Sequence, residues 1–278
     1  MGSSSQAIFA LIENDKLTDL TALLDEDPML VNIRHADPAL NHWTALQFAA
    51  AFGKLDACRL LVERGAEVYT NPMNTYPPVI QAAWKKHQAV VDYFLNEIPD
   101  KANGTNGFGV MINLAAREGW ADIVAKHIAA DPLVVFQRGW IGDSPLHWPS
   151  HNNYVEIVEM LLDAGADIEA DEIFWIGGKP LIWASEHAPG TVDLLLRRGA
   201  NVNGRNVKRG SQFEGVTPLI MNATQKDDCA EVTELLIAAG ADLNAVDATG
   251  KTALDHATVR SLPRITETLT RHGAQLAG

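Results

Sequence analysis

One short phrase returns seven times along this chain of 278 residues, and its period restricts the possible folds more than any other feature. It appears first as Trp43-Thr44-Ala45-Leu46, later as Ser144-Pro145-Leu146, and most clearly as Thr217-Pro218-Leu219. The equivalent starting positions are 44, 77, 110, 144, 179, 217 and 252, at intervals of 33 to 38 residues. Such a period belongs to one small supersecondary unit stacked many times, each burying its apolar face only against its neighbours. Length alone suggests two domains. The repeat overrides it, and residues 1–278 read as one continuous domain.

The unit can be read physically from its sixth copy. Thr217 suits a helix N-cap, and Pro218 suits the first helical position, where its missing N–H costs nothing. Leu219 to Thr224 then form a short inner helix. A second helix carries Val232, Leu235 and Leu236 on one face and ends at Gly240, which can take the left-handed closing conformation. Ala241-Asp242-Leu243-Asn244 leads to a tight turn at Asp247-Ala248-Thr249-Gly250, and Thr252 opens the next unit.

This unit is similar to the ankyrin repeat, with its Thr-Pro-Leu-His phrase, Leu-rich second helix and Gly-Ala-Asp exit. Ser144-Pro145-Leu146-His147 with Leu161-Leu162-Asp163-Ala164-Gly165-Ala166-Asp167 carries the likeness, as do Leu194 to Asn201 and Leu60 to Ala66. The resemblance covers residues 36–278 and implies an all-α ankyrin-repeat solenoid of about seven helix pairs with finger-like turns. Residues 5–35 lack the phrase but keep apolar stripes at Ile8, Leu11, Ile12 and at Leu17, Leu20, Leu23, Leu24, so they read as an N-terminal capping helix pair. Asp27-Pro28 there echoes Asp131-Pro132. Units two and three end their second helices at Ile98-Pro99-Asp100 and Ala130-Asp131-Pro132, where proline stops the helix in place of glycine. Pro149-Ser150 replaces the family's usual Ala-Ala and leaves the inner helix of unit four in question. His147 holds the family's structural histidine position, which implies a hydrogen bond between units.

Composition removes several function classes. No run of about 18 apolar residues exists, so no membrane span is expected. Met1 to Ser5 lacks the basic-then-apolar order of a secretory signal. A net charge of −13 opposes nucleic acid and anionic membrane. Cys58 and Cys229 have no metal-type or redox-type spacing, and Cys58 falls in an apolar helical register. The expected setting is the cytoplasm.

The family resemblance implies binding on the concave side, lined by inner helices and fingers. Helical register puts sets of residues on that face, among them Phe48, Ala51, Phe52; Gln81, Trp84, Lys85; Leu114, Arg117, Glu118; Trp148, His151, Asn152; and Trp183, Glu186, His187. Two fingers add Trp140 and Trp175, each eight residues before the Trp of its own inner helix. Trp140, Trp148, Trp175 and Trp183 are therefore candidate walls of one cleft, extended by Trp84. They read either as binding anchors or as packing between fingers and helices. Arg117, Glu118, His151, Glu186 and His187 supply charge and titration on the same face.

Two functions follow as expectations. One is a scaffold that binds a partner protein or peptide in this Trp-rich groove. The alternative is an ankyrin-fold binder or enzyme for a small apolar or sugar-like ligand, with His151, Glu186 and His187 as acid–base residues. No cofactor is expected. Only His151, His187 and Glu186 approach a metal-ligand set, no His-Glu-x-x-His motif supports them, and no metal is expected. The glycines of Asn103 to Gly109 lack the Lys of a phosphate loop, and Ser144 reads as a helix cap rather than a nucleophile. Arg205, Lys208 and Arg209 form a small basic finger tip, either solvated or set to meet an anion.

Overall fold

A computed structural model describes residues 4–37, 42–68, 77–98, 110–139 and 141–277. Among these residues the chain is helical, with no strand and with isolated bridge residues such as the pair Arg34 and Thr44. No described helix is long and apolar enough to cross a membrane. Trp140, Pro99-Asp100 and the glycines of Asn103 to Gly109 lie outside the described residues.

The chain divides into two compact units, Met1–Met111 and Ile112–Gly278. In the first, α1 (Ser4–Glu13) and α2 (Leu17–Glu26) form the capping pair expected from the apolar stripes. Ile8, Ile12, Leu20 and Leu24 are its buried side chains. Then come α3 (Ala45–Ala51), α4 (Leu55–Glu63), α5 (Pro78–Trp84) and α6 (Gln88–Asp92), the last running on into a single wide turn at Tyr93–Glu97. Inner helices α1, α3 and α5 pack in succession, as do outer helices α2, α4 and α6. Cys58 is fully buried on α4, which pushes its thiol far above the usual range and makes it inert.

The second unit follows the same plan. It contains all but the first two residues of α7 (Val110–Glu118), then α8 (Ala121–Ala130), α9 (His147–His151), α10 (Val155–Asp163), α11 (Pro180–Ala184), α12 (Pro189–Arg197), α13 (Pro218–Thr224), α14 (Ala230–Ala238), α15 (Ala253–Val259) and α16 (Pro263–Arg271). Inner helices α9, α11, α13 and α15 stack in order, and outer helices α10, α12, α14 and α16 stack behind them. Leu146, Leu161, Ile182, Val192, Ile220, Leu236 and Ile265 belong to one continuous apolar core. Helices of five to ten residues have little stability alone, so each forms only against its neighbours.

The local signals act as their chemistry requires. Thr217 Oγ1 accepts from the Ile220 amide at 3.3 Å, with Pro218 at the first helical position. Gly240 closes its helix at φ +89°. The Asp-Pro echo is structural: Asp27 and Asp131 each cap a short 3₁₀ turn by accepting from the amide two residues on, at 3.1 and 3.0 Å. Unit four's inner helix keeps Pro149 within its five residues and is as long as unit five's inner helix α11. The helix survives because Pro149 lies in its first turn, where an N–H has no intrahelical acceptor.

Two of the three basic residues at the finger tip, while still meeting solvent, also bond to neighbouring fingers. Arg205 donates to the Gly215 and Val246 carbonyls, and Lys208 Nζ to the Ile173 carbonyl at 2.6 Å, so both tie fingers together.

At α15, Thr252 Oγ1 accepts from the Asp255 amide while Asp255 Oδ2 accepts from the Thr252 amide at 2.8 Å, a reciprocal cap. Thr252→Ala is expected to cost about 1 kcal/mol. Urea unfolding of the full chain, followed by circular dichroism, should show a lower midpoint with an unchanged slope.

Candidate functional site

The site lies within the second unit and is built from three successive repeats. Arg117 and Glu118 end α7, Trp148 and His151 lie on α9, and Trp183 lies on α11 with Glu186 and His187 just beyond it. Trp175 projects from the finger between α10 and α11. Residues some 35 positions apart in the chain thus share one face, as the register anticipates.

Three indoles meet there. Trp148 and Trp175 stack at 6.2 Å between ring centres, and Trp183 stands edge-on to both, at 5.2 and 5.9 Å. Their environments differ. Trp175 is 54% exposed and Trp148 half-buried, whereas Trp183 is 1% exposed. Of the two readings of the indoles, packing between finger and helix holds for Trp183. It is the floor, with His147, Trp148 and Trp175 packed on it and its Nε1–H donating to the Gly177 carbonyl at 3.1 Å. Trp140 lies outside the described residues, and Trp84, at the end of α5, belongs to the first unit.

Arg117 lies over the face of Trp148, its Cζ 4.4 Å from the ring centre, and pairs with Glu118 at 3.6 Å. The ring face attracts the cation. Together with His151, Ile176 and Glu186, the indoles line a pocket of about 180 Å³. A groove of about 520 Å³, bordered by His187, Thr224, Asp227, Asp247 and His256, shares Glu186, Gln212, Phe213 and Gln225 with that pocket.

The finger carrying Trp175 is held by a residue that the sequence reading passed over. Glu172 is buried, and its two carboxylate oxygens accept the Trp175 and Gly177 amides at 2.6 and 2.5 Å. Gly142 and Gly177, at equivalent finger positions, both have positive φ. A Cβ on Gly142 would meet Ile173 at 2.7 Å, so close approach of successive fingers also requires glycine there. Ile173 and Phe174 join Trp175 as large exposed apolar side chains on one finger. The Trp-Ile-Gly repetition marks the fingers, but neither Glu172 nor these two neighbours carried a sequence signal beyond a polar or apolar loop residue.

The titratable trio comes together. His151 Nε2 lies 3.5 Å from Glu186 Oε2, the rings of His151 and His187 are 4.6 Å apart, and ligand atoms of all three residues lie within 4.8 Å of one another. Burial pulls the His151 pKa down, but hydrogen bonds from Glu186 and Asn152 and the charge of Glu186 outweigh it, and the net shift is upward.

Behind the pocket sit two buried ionisable groups. The Ser144 amide donates to His147 Nδ1 at 3.0 Å, so Nε2 carries the proton and donates to the Gly178 carbonyl at 3.2 Å. This is the inter-repeat bond implied by the family resemblance. Desolvation drives the His147 pKa down to about 4. Asp143 is also buried; desolvation raises its pKa to about 7, nearby Glu172 adds to the rise, and backbone amides offset part of it.

The model of the family described as ankyrin repeats, in blocks of three copies, matches residues 7–103, 79–172, 112–206 and 181–277. Among curated proteins the chain is 31% identical over 92% of its length to the ankyrin repeat and KH domain-containing protein mask-1 of Caenorhabditis elegans. It is 28% identical over 80% of its length to the ankyrin repeat protein nuc-2 of Neurospora crassa, and 32% identical over 43% to the E3 ubiquitin-protein ligase KEG of Arabidopsis thaliana. The chain spans only 11%, 20% and 7% of those three proteins.

The buried pair has a pH signature. Lowering of the His147 pKa makes the unfolded chain bind more protons, so stability is lost as pH falls from 6.5 towards about 4. Raising of the Asp143 pKa does the opposite, and stability is lost as pH rises from 3.8 through about 7. Each is worth on the order of 3 kcal/mol across its window, and the two largely cancel. Asp143→Asn is expected to expose the histidine: stability at pH 8 at least equal to the parent, and a steeper loss between pH 6.5 and 4. Denaturant titrations at several pH values check this, and parallel profiles would refute it.

Proposed function

This chain belongs to the ankyrin-repeat family, whose repeats mediate protein–protein interaction, and on that premise we propose that it binds an extended segment of a partner protein across the indole pocket and the adjoining groove. One apolar or aromatic side chain of the segment enters the pocket beside the stacked Trp148 and Trp175, over the floor made by Trp183. Neighbouring residues of the segment run along the groove past Glu186, Phe213 and Gln225. Arg117, Glu118 and His187 form the polar rim. The setting proposed for this encounter is the cytoplasm.

The observation that carries this reading is the continuity of a small pocket with a larger groove. At about 180 Å³, the aromatic pocket is below the roughly 300–1,000 Å³ of dedicated small-molecule sites, yet it opens on about 520 Å³ of groove through shared residues. A pocket for one side chain beside a track for its neighbours suits a peptide better than a compact ligand. The exposed finger Ile173-Phe174-Trp175 supports it further, since clustered exposed apolar side chains mark interaction surfaces. Aromatic anchors ringed by polar groups are also where binding energy concentrates.

Selection of a random peptide library on the full chain tests the proposal. Enriched peptides are expected to share one apolar or aromatic anchor, and Trp175→Ala or Trp148→Ala should weaken the best of them at least about tenfold, the loss of about 1.4 kcal/mol or more seen at hot spots. Circular dichroism of Trp175→Ala should be unchanged, because that ring is largely in solvent. Selected peptides that bind both variants as tightly as the parent would sink the reading.

A further inference from the structure

The trio beside the pocket contains an electrostatic arrangement that binding of an apolar side chain does not use. Asn152 donates its Nδ2–H to the Arg117 carbonyl at 2.9 Å. That bond fixes the amide, and its Oδ1 is left facing His151 Nδ1 at 3.0 Å. An amide oxygen only accepts, so Nδ1 carries the proton and donates. In the neutral ring the lone pair then sits on Nε2, which faces Glu186 Oε2 at 3.5 Å. A positive charge between the two removes their repulsion, whether it is a proton on Nε2 or a bound cation. His187 brings a second imidazole to the same point, its ring centre 4.6 Å from that of His151.

We propose that His151, Glu186 and His187 form a binding site for a divalent transition-metal ion of the zinc type. Two imidazoles and one carboxylate are a ligand set such ions favour. The ligand atoms lie within 4.8 Å of one another, against about 3.4 Å for a tetrahedron with bonds near 2.1 Å, so closure needs about 1 Å of side-chain movement. Glu186 is half-buried and His187 exposed, both just beyond the end of an inner helix. Asn152 is the outer partner that orients His151, as metal-bound histidines require. No local sequence motif marks the site because the ligands come from adjacent repeats: His151 from one, Glu186 and His187 from the next, 35 and 36 residues on. His151 and Glu186 line the indole pocket while Glu186 and His187 line the groove, so the ion sits where the two meet. Three protein ligands leave a fourth position for water. This site does not depend on the peptide reading, because no ligand in it is one of the indole anchors.

Calorimetric titration of chelator-treated full chain with zinc chloride near pH 7.5 tests the site, with nickel quenching of indole fluorescence as a second readout. Trp148 and Trp183 lie 6.0 and 6.3 Å from the His151 ring, so a bound nickel ion should quench them. The expected result is one saturable equivalent, weakened at least about tenfold by Glu186→Gln and by His187→Gln, and several-fold by Asn152→Ala. The Gln substitutions fall on partly or fully exposed side chains and test the site even if a His151 variant fails to fold. Zinc binding weaker than about 100 µM in the parent, or binding unchanged in the Glu186→Gln/His187→Gln double variant, overturns the proposal.

Discussion

The neutral imidazole of His147 is the joint on which the site's geometry depends. It accepts from the Ser144 amide in its own repeat and donates to the Gly178 carbonyl in the next finger. Gly178 also accepts from the Glu172 amide, and Glu172 in turn holds the amides of Trp175 and Gly177. Gly177 then accepts from Trp183. One chain of hydrogen bonds thus leads from the start of a helix, through a buried ring, to the finger and both indoles of the following repeat. Because His147 is both donor and acceptor, protonation of the ring would remove the acceptor and break the chain at its first link.

Short helices explain why such joints matter. A five-residue helix such as α9 has no stability of its own, and its position is set by what it packs on. Burial of Leu146, Ile182 and Ile220 fixes the spacing of successive inner helices, but apolar contact is not directional. The hydrogen bonds of His147, Glu172 and Phe174, whose amide donates to the Ile141 carbonyl, set the rotation of each finger against its neighbour. The core supplies cohesion, and the polar joints decide where the indoles point.

The repeat period, the caps and the helix ends were legible because each depends on neighbouring residues: Thr217 with Ile220, and Gly240 at its closing φ. Register likewise placed His151, Glu186 and His187 on one face. Burial was not legible. Trp148 and Trp183 occupy equivalent positions, yet one is half-exposed and the other sealed, with His147, Trp148 and Trp175 packed on Trp183. That difference belongs to the finger that folds over, not to the helix that bears the residue. Glu172, Arg205 and Lys208 were hidden for a related reason. A charged loop residue reads as solvated until the carbonyls and amides it meets are known, and those lie in other repeats or across a turn.

The division between a buried floor and half-exposed walls has a consequence for recognition. Ordering a mobile side chain at an interface costs about 0.5–1.5 kcal/mol, which subtracts from affinity. Trp148 is already held between Arg117 above its face, Trp175 stacked on it and Trp183 at its edge. Trp175 has its backbone fixed by Glu172, so its ring is free mainly to rotate about its own side-chain bonds. The walls therefore present large apolar area with little freedom left to lose. The buried imidazole of His147 behind them costs desolvation, and what it secures, through Gly178 and Glu172, is the finger that carries Trp175.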